Sequence, residues 1–411
     1  MNGQREIQMP EPPPQINRNR LYVASCVSMV TLALTFTVRG DILEDLSRQF
    51  QLNKEQLGLI SGAAFWGFVL AIFTGGQLCD VLGMGRLMSL AFVGHMIGTL
   101  TIILAGGFWP LWVGTLILGL ANGFVEGAIN PLISSAYPEH KTEKLNALHA
   151  WFPGGILLGG VVVYGLTAMD VNWQAKMLLI LIPTLIYGLM LRGQRFPLTE
   201  RVQHGIPVRE MYKQALRPQF LVWVFCMFLT ASTELGPNQW IPNILTTTAH
   251  LPGILVLAWI NGIMTAGRLF AGSVVKRLSP IALLIAAACL SAIGLLGLSV
   301  SRSPVPTFIT ATVFAVGICY FWPTMLGVTS ERFPAGGALL LAIIGGAGNL
   351  SVAVVLPIMG RIYDARGPEV VLRDVVLLPL ILIAVFSAIW LHDRSIGGYR
   401  IMKLSPKISE E

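Results

Sequence analysis

Apolar stretches of about 20 residues, separated by short polar or charged clusters, recur along almost the whole chain, and that is the length a helix needs to cross a bilayer. The pattern predicts twelve spanning segments, over residues 21–40, 57–79, 86–107, 110–137, 146–169, 174–192, 217–246, 252–275, 279–300, 305–330, 336–362 and 370–391. Runs of this length fit helices rather than barrel strands, because a helix in lipid satisfies its own backbone. The longest polar interval after the N-terminal tail is 193–216. It divides the chain into an N-terminal six-helix half (21–192) and a C-terminal six-helix half (217–391), with the interval as a cytoplasmic linker. Residues 1–20, with Pro12, Pro13, Pro14 and mixed charges, are expected to be a disordered tail, and 392–411 a second cytoplasmic tail. The first tail lacks the apolar core and cleavage site of a signal peptide, so the first membrane helix is expected to serve as an uncleaved anchor.

Composition agrees with this fold class, an all-α membrane protein. The 411 residues are 54% hydrophobic and 12% charged, whereas soluble domains carry about 25% charged residues. A net charge of +7 in a soluble chain would suggest nucleic acid; here it is read through the loops instead, and no nucleic-acid partner is expected. With the N-terminus inside, Arg5, Arg18, Arg20, Arg86, Lys141, Lys144, Arg192, Arg195, Arg201, Arg209, Lys213, Arg217, Lys276, Arg277, Arg332, Arg394, Arg400, Lys403 and Lys407 fall on the cytoplasmic side, against Arg48, Lys54, Lys176, Arg302, Arg366 and Arg373 outside. That bias places both termini in the cytoplasm, and the compact chain suggests a bacterial inner membrane protein. The five cysteines are scattered without a CxxC spacing, which argues against a zinc site or a disulfide framework. No Walker loop, Gly-x-Ser-x-Gly or HExxH motif occurs, so neither an ATPase nor a hydrolase is indicated, and no cofactor or metal is expected.

One charge breaks the apolar pattern. Glu126 lies inside 110–137, with no other charge between Trp109 and Glu139. A carboxylate at bilayer depth costs about 2.5–3.5 kcal/mol on insertion scales and is by default functional. Asn122 and Asn130 lie four residues to either side, so one helical face carries amide, carboxylate, amide. Glu126 is therefore read either as a carboxyl held by its amide neighbours or as one that takes a proton from one side and releases it to the other. In the seventh segment Glu234 precedes Gly236 and Pro237, where a broken helix is expected. Asn238, Gln239, Trp240 and Asn243 follow, offering amides for vicinal hydroxyls and a flat ring for the C–H face of a pyranose. An interfacial tryptophan and a capping cluster would give the same pattern. Asn261, Thr265 and Arg268 form a polar stripe on the eighth segment. Arg268 is read as a gating residue or as an anchor snorkelling towards the cytoplasm. Asp41 is either the first residue of an external loop, paired with Arg39 through unwinding at Gly40, or a coupling or substrate group. Asn146 and His149 share a face; Tyr320, Trp322 and Asn349 are cavity candidates or packing residues beside Pro323 and the 345–348 small-residue run.

Two basic-ended loops at equivalent positions, 76-GQLCDVLGMGR-86 and 267-GRLFAGSVVKRLSP-280, are traces of an internal repeat. The first resembles the signature loop of the major facilitator superfamily, through Gly76, Asp80, Gly83 and Arg86, with Val81 where arginine is usual. In that superfamily the loop helps gate the cytoplasmic side, and parallel halves enclose a midplane site. A narrower resemblance, to the fucose–galactose–glucose:proton symporter family, rests on 126-EGAINP-131, 145-LNALHAWFPGGILLG-159, 234-ELGPNQWIPNIL-245 and 322-WPTMLGVTSERFPAGGALLLAIIGGAG-348. It implies proton-coupled uptake of a monosaccharide by alternating access, with Glu126 and Asp41 handling protons. The substrate would be held by Asn122, Asn130, Asn146, His149, Glu234, Asn238, Trp240, Asn261, Tyr320 and Asn349. The chain departs from the family where Arg39 interrupts 36-FTVRGDILEDL-46, and where His149 and Phe152 stand for a glutamine and an asparagine. The expected partners are a small polar solute, protons and the bilayer, with the protein a monomer. Another polar solute or organic anion, sodium coupling and, further off, a transport-inactive sensor are the alternatives; Arg39 or Arg268 would support an anion if either faces the cavity.

Overall fold

In the computed structural model the described residues are 16–402, apart from 53, 252 and 276, and among them every regular element is helical. The parts of both expected tails at 1–15 and 403–411, and Lys276, lie outside the described residues. In chain order the helices are α1 (Arg18–Phe50), α2 (Lys54–Leu82), α3 (Met84–Ile103), α4 (Phe108–Ala136), α5 (Lys141–His149), α6 (Trp151–Ala168), α7 (Trp173–Leu178), α8 (Leu181–Leu191), α9 (Glu200–Gln203) and α10 (Val208–Ala215). There follow α11 (Pro218–Thr248), α12 (Gly253–Leu269), α13 (Ala271–Val275), α14 (Pro280–Val300), α15 (Pro304–Ile318), α16 (Phe321–Arg332), α17 (Gly337–Arg366), α18 (Pro368–Val375) and α19 (Leu377–Ser395). Collinear pairs such as α5–α6 and α15–α16 act as single spans, so 11 helical units among the described residues are long and apolar enough to cross a membrane.

The starts of these helices follow from local sequence. The Asn17 side chain accepts from the Arg20 amide, and the Ser279 hydroxyl accepts from the Ala282 amide. Pro218, Pro280, Pro304 and Pro368 open their helices, where a missing amide hydrogen costs nothing. Large apolar side chains such as Leu59, Trp66, Val161, Ile254 and Leu377 lie on the outside, an arrangement suited to lipid rather than water.

Small residues set the tightest contacts, as they do where helices pack within a membrane. A Cβ on Gly67 would lie 2.7 Å from the Leu120 amide, and one on Gly123 would lie 2.7 Å from Ala71 Cβ, so α2 and α4 touch backbone to backbone. Helix α1 packs on α6 and α8, and α3 on α4; later in the chain α11 packs on α17, α12 on α15, and α14 on α15 and α19. These groups meet through α2–α17, α6–α12, α5–α16 and α4–α17.

Two sequence expectations change. The eighth apolar segment was expected to run over 252–275, but α12 ends at Leu269 and a separate α13 follows, leaving a 17-residue helix. The turn between them coincides with Arg268 reaching inward. The expected loop at Asp41 is helical: α1 continues unbroken to Phe50. Asp41 bonds Lys176 at 2.7 Å instead of Arg39, because residues two apart on an intact helix diverge.

The bundle is closed at the end that carries most of the basic loops. A Cβ on Gly76 would meet Ala342 Cβ at 2.5 Å. Asp80 accepts from Arg201 Nε at 2.8 Å and from the Thr199 hydroxyl at 2.6 Å. The linker interval thus clamps the loop that opens α3, where Gly83 has φ +84° and Arg86 is exposed. Thr142 donates to Glu331 Oε1 at 2.6 Å, and Tyr399 donates to Glu331 Oε2 at 2.5 Å. Burial, and then the Glu331 charge, push the Tyr399 phenol well above its usual range, so it remains a donor at any physiological pH.

Candidate functional site

Where α4, α5, α11, α12 and α16 come together, one chain of polar contacts runs through the buried interior. It begins at Glu126, 6% exposed. Asn130 Nδ2 donates at 3.0 Å both to Glu126 Oε2 and to the Glu126 carbonyl one turn earlier. With that nitrogen committed, Asn130 Oδ1 is the acceptor facing His149 Nε2 at 2.9 Å, which assigns the ring proton to Nε2. The chain continues through the backbone: Arg268 Nη1 donates to the His149 carbonyl at 3.2 Å. Arg268 Nη2 then pairs with Glu234 Oε1 at 2.7 Å, and Nε donates to the Cys319 carbonyl at 2.6 Å.

Proline explains why two main-chain carbonyls, at the α5–α6 and α15–α16 junctions, are free to accept from a side chain. Pro153 stands four residues after His149, and Pro323 four residues after Cys319. Each proline lacks the amide hydrogen that would have bonded the carbonyl four residues back. Arg268, 2% exposed, supplies the missing donor to both. The snorkelling alternative for Arg268 therefore gives way to a buried clamp joining α5, α11 and the α15–α16 span. A break in helix is absent at Glu234, since α11 runs through Pro237 to Thr248.

The other candidates divide by what they touch. Asn146 Nδ2 donates to the Thr142 carbonyl at 2.9 Å and reaches Thr324 Oγ1 at 3.4 Å, while its Oδ1 is buried without a partner. Asn238 Oδ1 and Trp322 Nε1 are also buried and unpartnered. Tyr320 donates to the Gly267 carbonyl at 3.2 Å beside the clamp. Trp240 stacks on Tyr363, with ring centroids 5.5 Å apart. The Asn261 and Asn349 amides bond carbonyls of their own helices, those of Leu257 and Gly345. The side chain of Asn243 lies outside what is described. Asp41 is not brought to the cluster; it belongs with Lys176 and Thr167 at the far end of α1.

Asn122 shares its helical face with Glu126 but not its contacts. Its Oδ1 accepts from His95 Nε2 at 2.9 Å and its Nδ2 donates to Thr35 Oγ1 at 2.8 Å, while His95 Nδ1 meets the Tyr187 hydroxyl at 2.9 Å. This buried staple ties α1, α3, α4 and α8 together. His95, Tyr187 and Thr35 had no signal in the sequence, being single polar residues on separate helices. Thr142 and Glu331 were missed for the same reason. Among the described residues no group of three or more His, Cys, Asp or Glu is placed to hold a metal ion.

Helices of this arrangement, with polar groups gathered on the inside and apolar side chains outside, define an integral membrane protein, and its family and relatives make it a transporter and not an enzyme. The chain belongs to the Major Facilitator Superfamily, whose family model matches residues 21–336. It is 26% identical over 400 residues to the 2-nitroimidazole transporter of Escherichia coli (strain K12), covering 92% of this chain and 98% of that protein. It is 23% identical over 171 residues to the hexuronate transporter of Bacillus subtilis (strain 168), a match spanning only 41% of this chain and 39% of that protein. The crystal structure of the E. coli fucose:proton symporter superposes with a TM-score of 0.72 at 16% identity, over 89% of this chain and 98% of that one.

Proposed function

We propose that this protein is a secondary active transporter that couples uptake of a monosaccharide to protons by alternating access. Its twelve spans, α12 counted among them, form two six-helix halves around the Glu126–Arg268 chain of contacts. The observation that supports this reading is the continuity of that chain: a membrane-embedded carboxyl is linked, through Asn130 and His149, to a clamp that crosses from α5 to α12 and α11. Changing the charge on Glu126 changes what Asn130 and then His149 are offered, and hence the stability of this conformation relative to one open at the opposite end. Unpartnered Asn146 Oδ1 and Asn238 Oδ1 are acceptors of the kind that hydroxyl groups satisfy. In this cycle the site loads from the outer side while the basic-loop end is closed, and both termini lie in the cytoplasm of a cell whose inner membrane holds the protein as a monomer. Glu126 carries the proton; Asp41, tied to Lys176, holds the outer end of α1. The similar proteins transport a hexuronate, 2-nitroimidazole, and fucose with protons, so the superfamily alone leaves the solute open.

The test is proton movement in proteoliposomes on adding a panel of neutral sugars and sugar acids, for wild type and Glu126→Gln. Solute-driven alkalinisation outside, lost in Glu126→Gln while solute exchange persists, is the expected result. Silence of the wild type toward every member of the panel would refute the reading.

A further inference from the structure

Arg39 is a membrane-embedded cation with no counter-charge among the described residues. It is 9% exposed, its Nη1 is buried with no hydrogen-bond partner, and no ion pair reaches it among the described residues. Its guanidinium lies 4.9 Å from the centroid of the Phe36 ring. Phe36 in turn meets Phe65 and Phe152 edge to face at 5.7 and 6.1 Å, within the apolar cluster of Leu32, Phe68, Ile72 and Ala342. That cluster draws on α1, α2, α6 and α17, so Arg39 faces the junction where the early and late helices meet. The contrast with Arg268 is sharp: Arg268 has Glu234 and two carbonyls, and Arg39 has one aromatic face. A cation–π contact alone does not replace the hydration of a buried guanidinium.

The height of Arg39 relative to Glu126 follows from one hydrogen bond. Thr35 and Asn122 are joined at 2.8 Å, which fixes the register of α1 against α4. Three chain reversals separate these helices, so they run antiparallel. Arg39 is one turn beyond Thr35, and Glu126 one turn beyond Asn122 in the opposite direction. Their backbones are thus displaced by about 12 Å along the bundle.

We propose that Arg39 is the anion subsite of the solute-binding region, and that the transported solute is a sugar-sized organic acid whose carboxylate pairs with Arg39. This rests on the symport reading above and narrows its substrate class. Charge balance supports it. With the site empty and Glu126 ionised, Arg39 and Arg268 face Glu126 and Glu234, and the positive and negative charges are equal. A proton on Glu126 alone leaves one positive charge in excess, and an anion alone leaves one negative charge in excess. Proton and anion together restore balance. A closed, water-poor intermediate penalises uncompensated charge, so the empty and doubly loaded forms are the two that pass through it. Among the other charged or titratable groups on helices packed against α4, Asp41 and Asp45 of α1 are tied to Lys176 at the outer end. His95 and His149 are hydrogen-bonded within the bundle, Asp80 is paired with Arg201, and Glu331 and Lys141 lie at the basic-loop end. On α17, Arg361, Asp364 and Arg366 lie near the opposite end.

The experiment uses the purified full chain in proteoliposomes with matched solutes: glucuronate and glucose, galacturonate and galactose, gluconate and sorbitol. An acid is expected to drive proton uptake where its neutral counterpart does so about tenfold less well or worse, the loss of one charge-assisted bond pair. Arg39→Gln should raise the half-saturating acid concentration by about the same factor, with Arg39→Lys in between. Because a proton and a monoanion carry no net charge together, a potential of about 100 mV imposed with potassium and valinomycin should leave wild-type acid uptake within about twofold, whereas neutral-sugar symport would accelerate severalfold. This last measurement needs no variant and so survives poor folding of Arg39→Gln. Neutral sugars moving protons equally in wild type and Arg39→Gln, or acid uptake driven by the potential, would overturn the anion subsite and leave the symport reading standing. No proton movement with any of the six solutes would remove both.

Discussion

Arg268 donates through Nε to the Cys319 carbonyl at 2.6 Å, and that carbonyl is available because Pro323, one turn on, has no amide hydrogen. Pro323→Ala would supply that hydrogen and set the helix's own bond in competition with the guanidinium. The expected outcome is a thermal midpoint unchanged or raised, with a slower transport cycle. A variant that is both more stable and as fast as wild type would show that the clamp on Cys319 takes no part in the cycle.

The Arg268–Glu234 pair is fully inside, at 2% and 3% exposure. Removing one partner strands a buried charge, at a cost of about 3–5 kcal/mol, while replacing both by apolar residues is often tolerated. Because Arg268→Met would also strand the His149 and Cys319 carbonyls, the comparison keeps the arginine: Glu234→Leu should lower the melting temperature more than Glu234→Gln, which leaves Nη2 an acceptor. Equal losses in a fluorescence-detected melting assay would contradict this account.

Asn130 satisfies two groups at once, donating to Glu126 and accepting from His149. Asn130→Leu leaves both without it and is expected to destabilise by about 1–3 kcal/mol for each group left unpaired. Asn122→Leu should do likewise through His95 and Thr35, and the two losses should add because these networks share no member. A double variant much less damaged than the sum would mean that they are coupled.

At the basic-loop end, Thr142 and Glu331 close the bundle by a bond between residues 189 apart in the chain. Thr142→Val keeps the shape and removes the donor. With the other cysteines replaced, Cys79, 2% exposed and next to Asp80 on α2, should react faster with a membrane-permeant maleimide. Unchanged labelling would show that the Asp80–Arg201 contact alone holds this end shut.

Close backbone contact between α2 and α4 has its own test. A Cβ on Gly123 would lie 2.7 Å from Ala71 Cβ and 3.0 Å from the Ile72 amide, and neither neighbour has a flexible tip that could yield. Gly123→Val should cost about 1–3 kcal/mol or more by overpacking, read as loss of monodisperse protein on size-exclusion chromatography.

The apolar runs determined by themselves where the chain is helical, because lipid leaves a backbone no other partner over such lengths. They also singled out Glu126, since one charge in an apolar run is visible without any partner. Asn130 was legible too, because its contact with Glu126 is made within a single helix, at a spacing of four. Helix ends at Pro218, Pro280 and Pro304 were equally local. What the sequence did not determine is every contact made between helices. Whether Asn122 would face Glu126 or His95 depended on how α3 and α1 pack against α4. Whether Arg268 would snorkel or turn inward depended on two carbonyls freed on other helices. Pro153 and Pro323 marked those carbonyls in the sequence, but nothing local says that both point at one guanidinium. The tertiary structure decided that. It also decided the difference between two arginines that look alike in the sequence: Arg268 meets a carboxylate 34 residues away, and Arg39 meets none among the described residues.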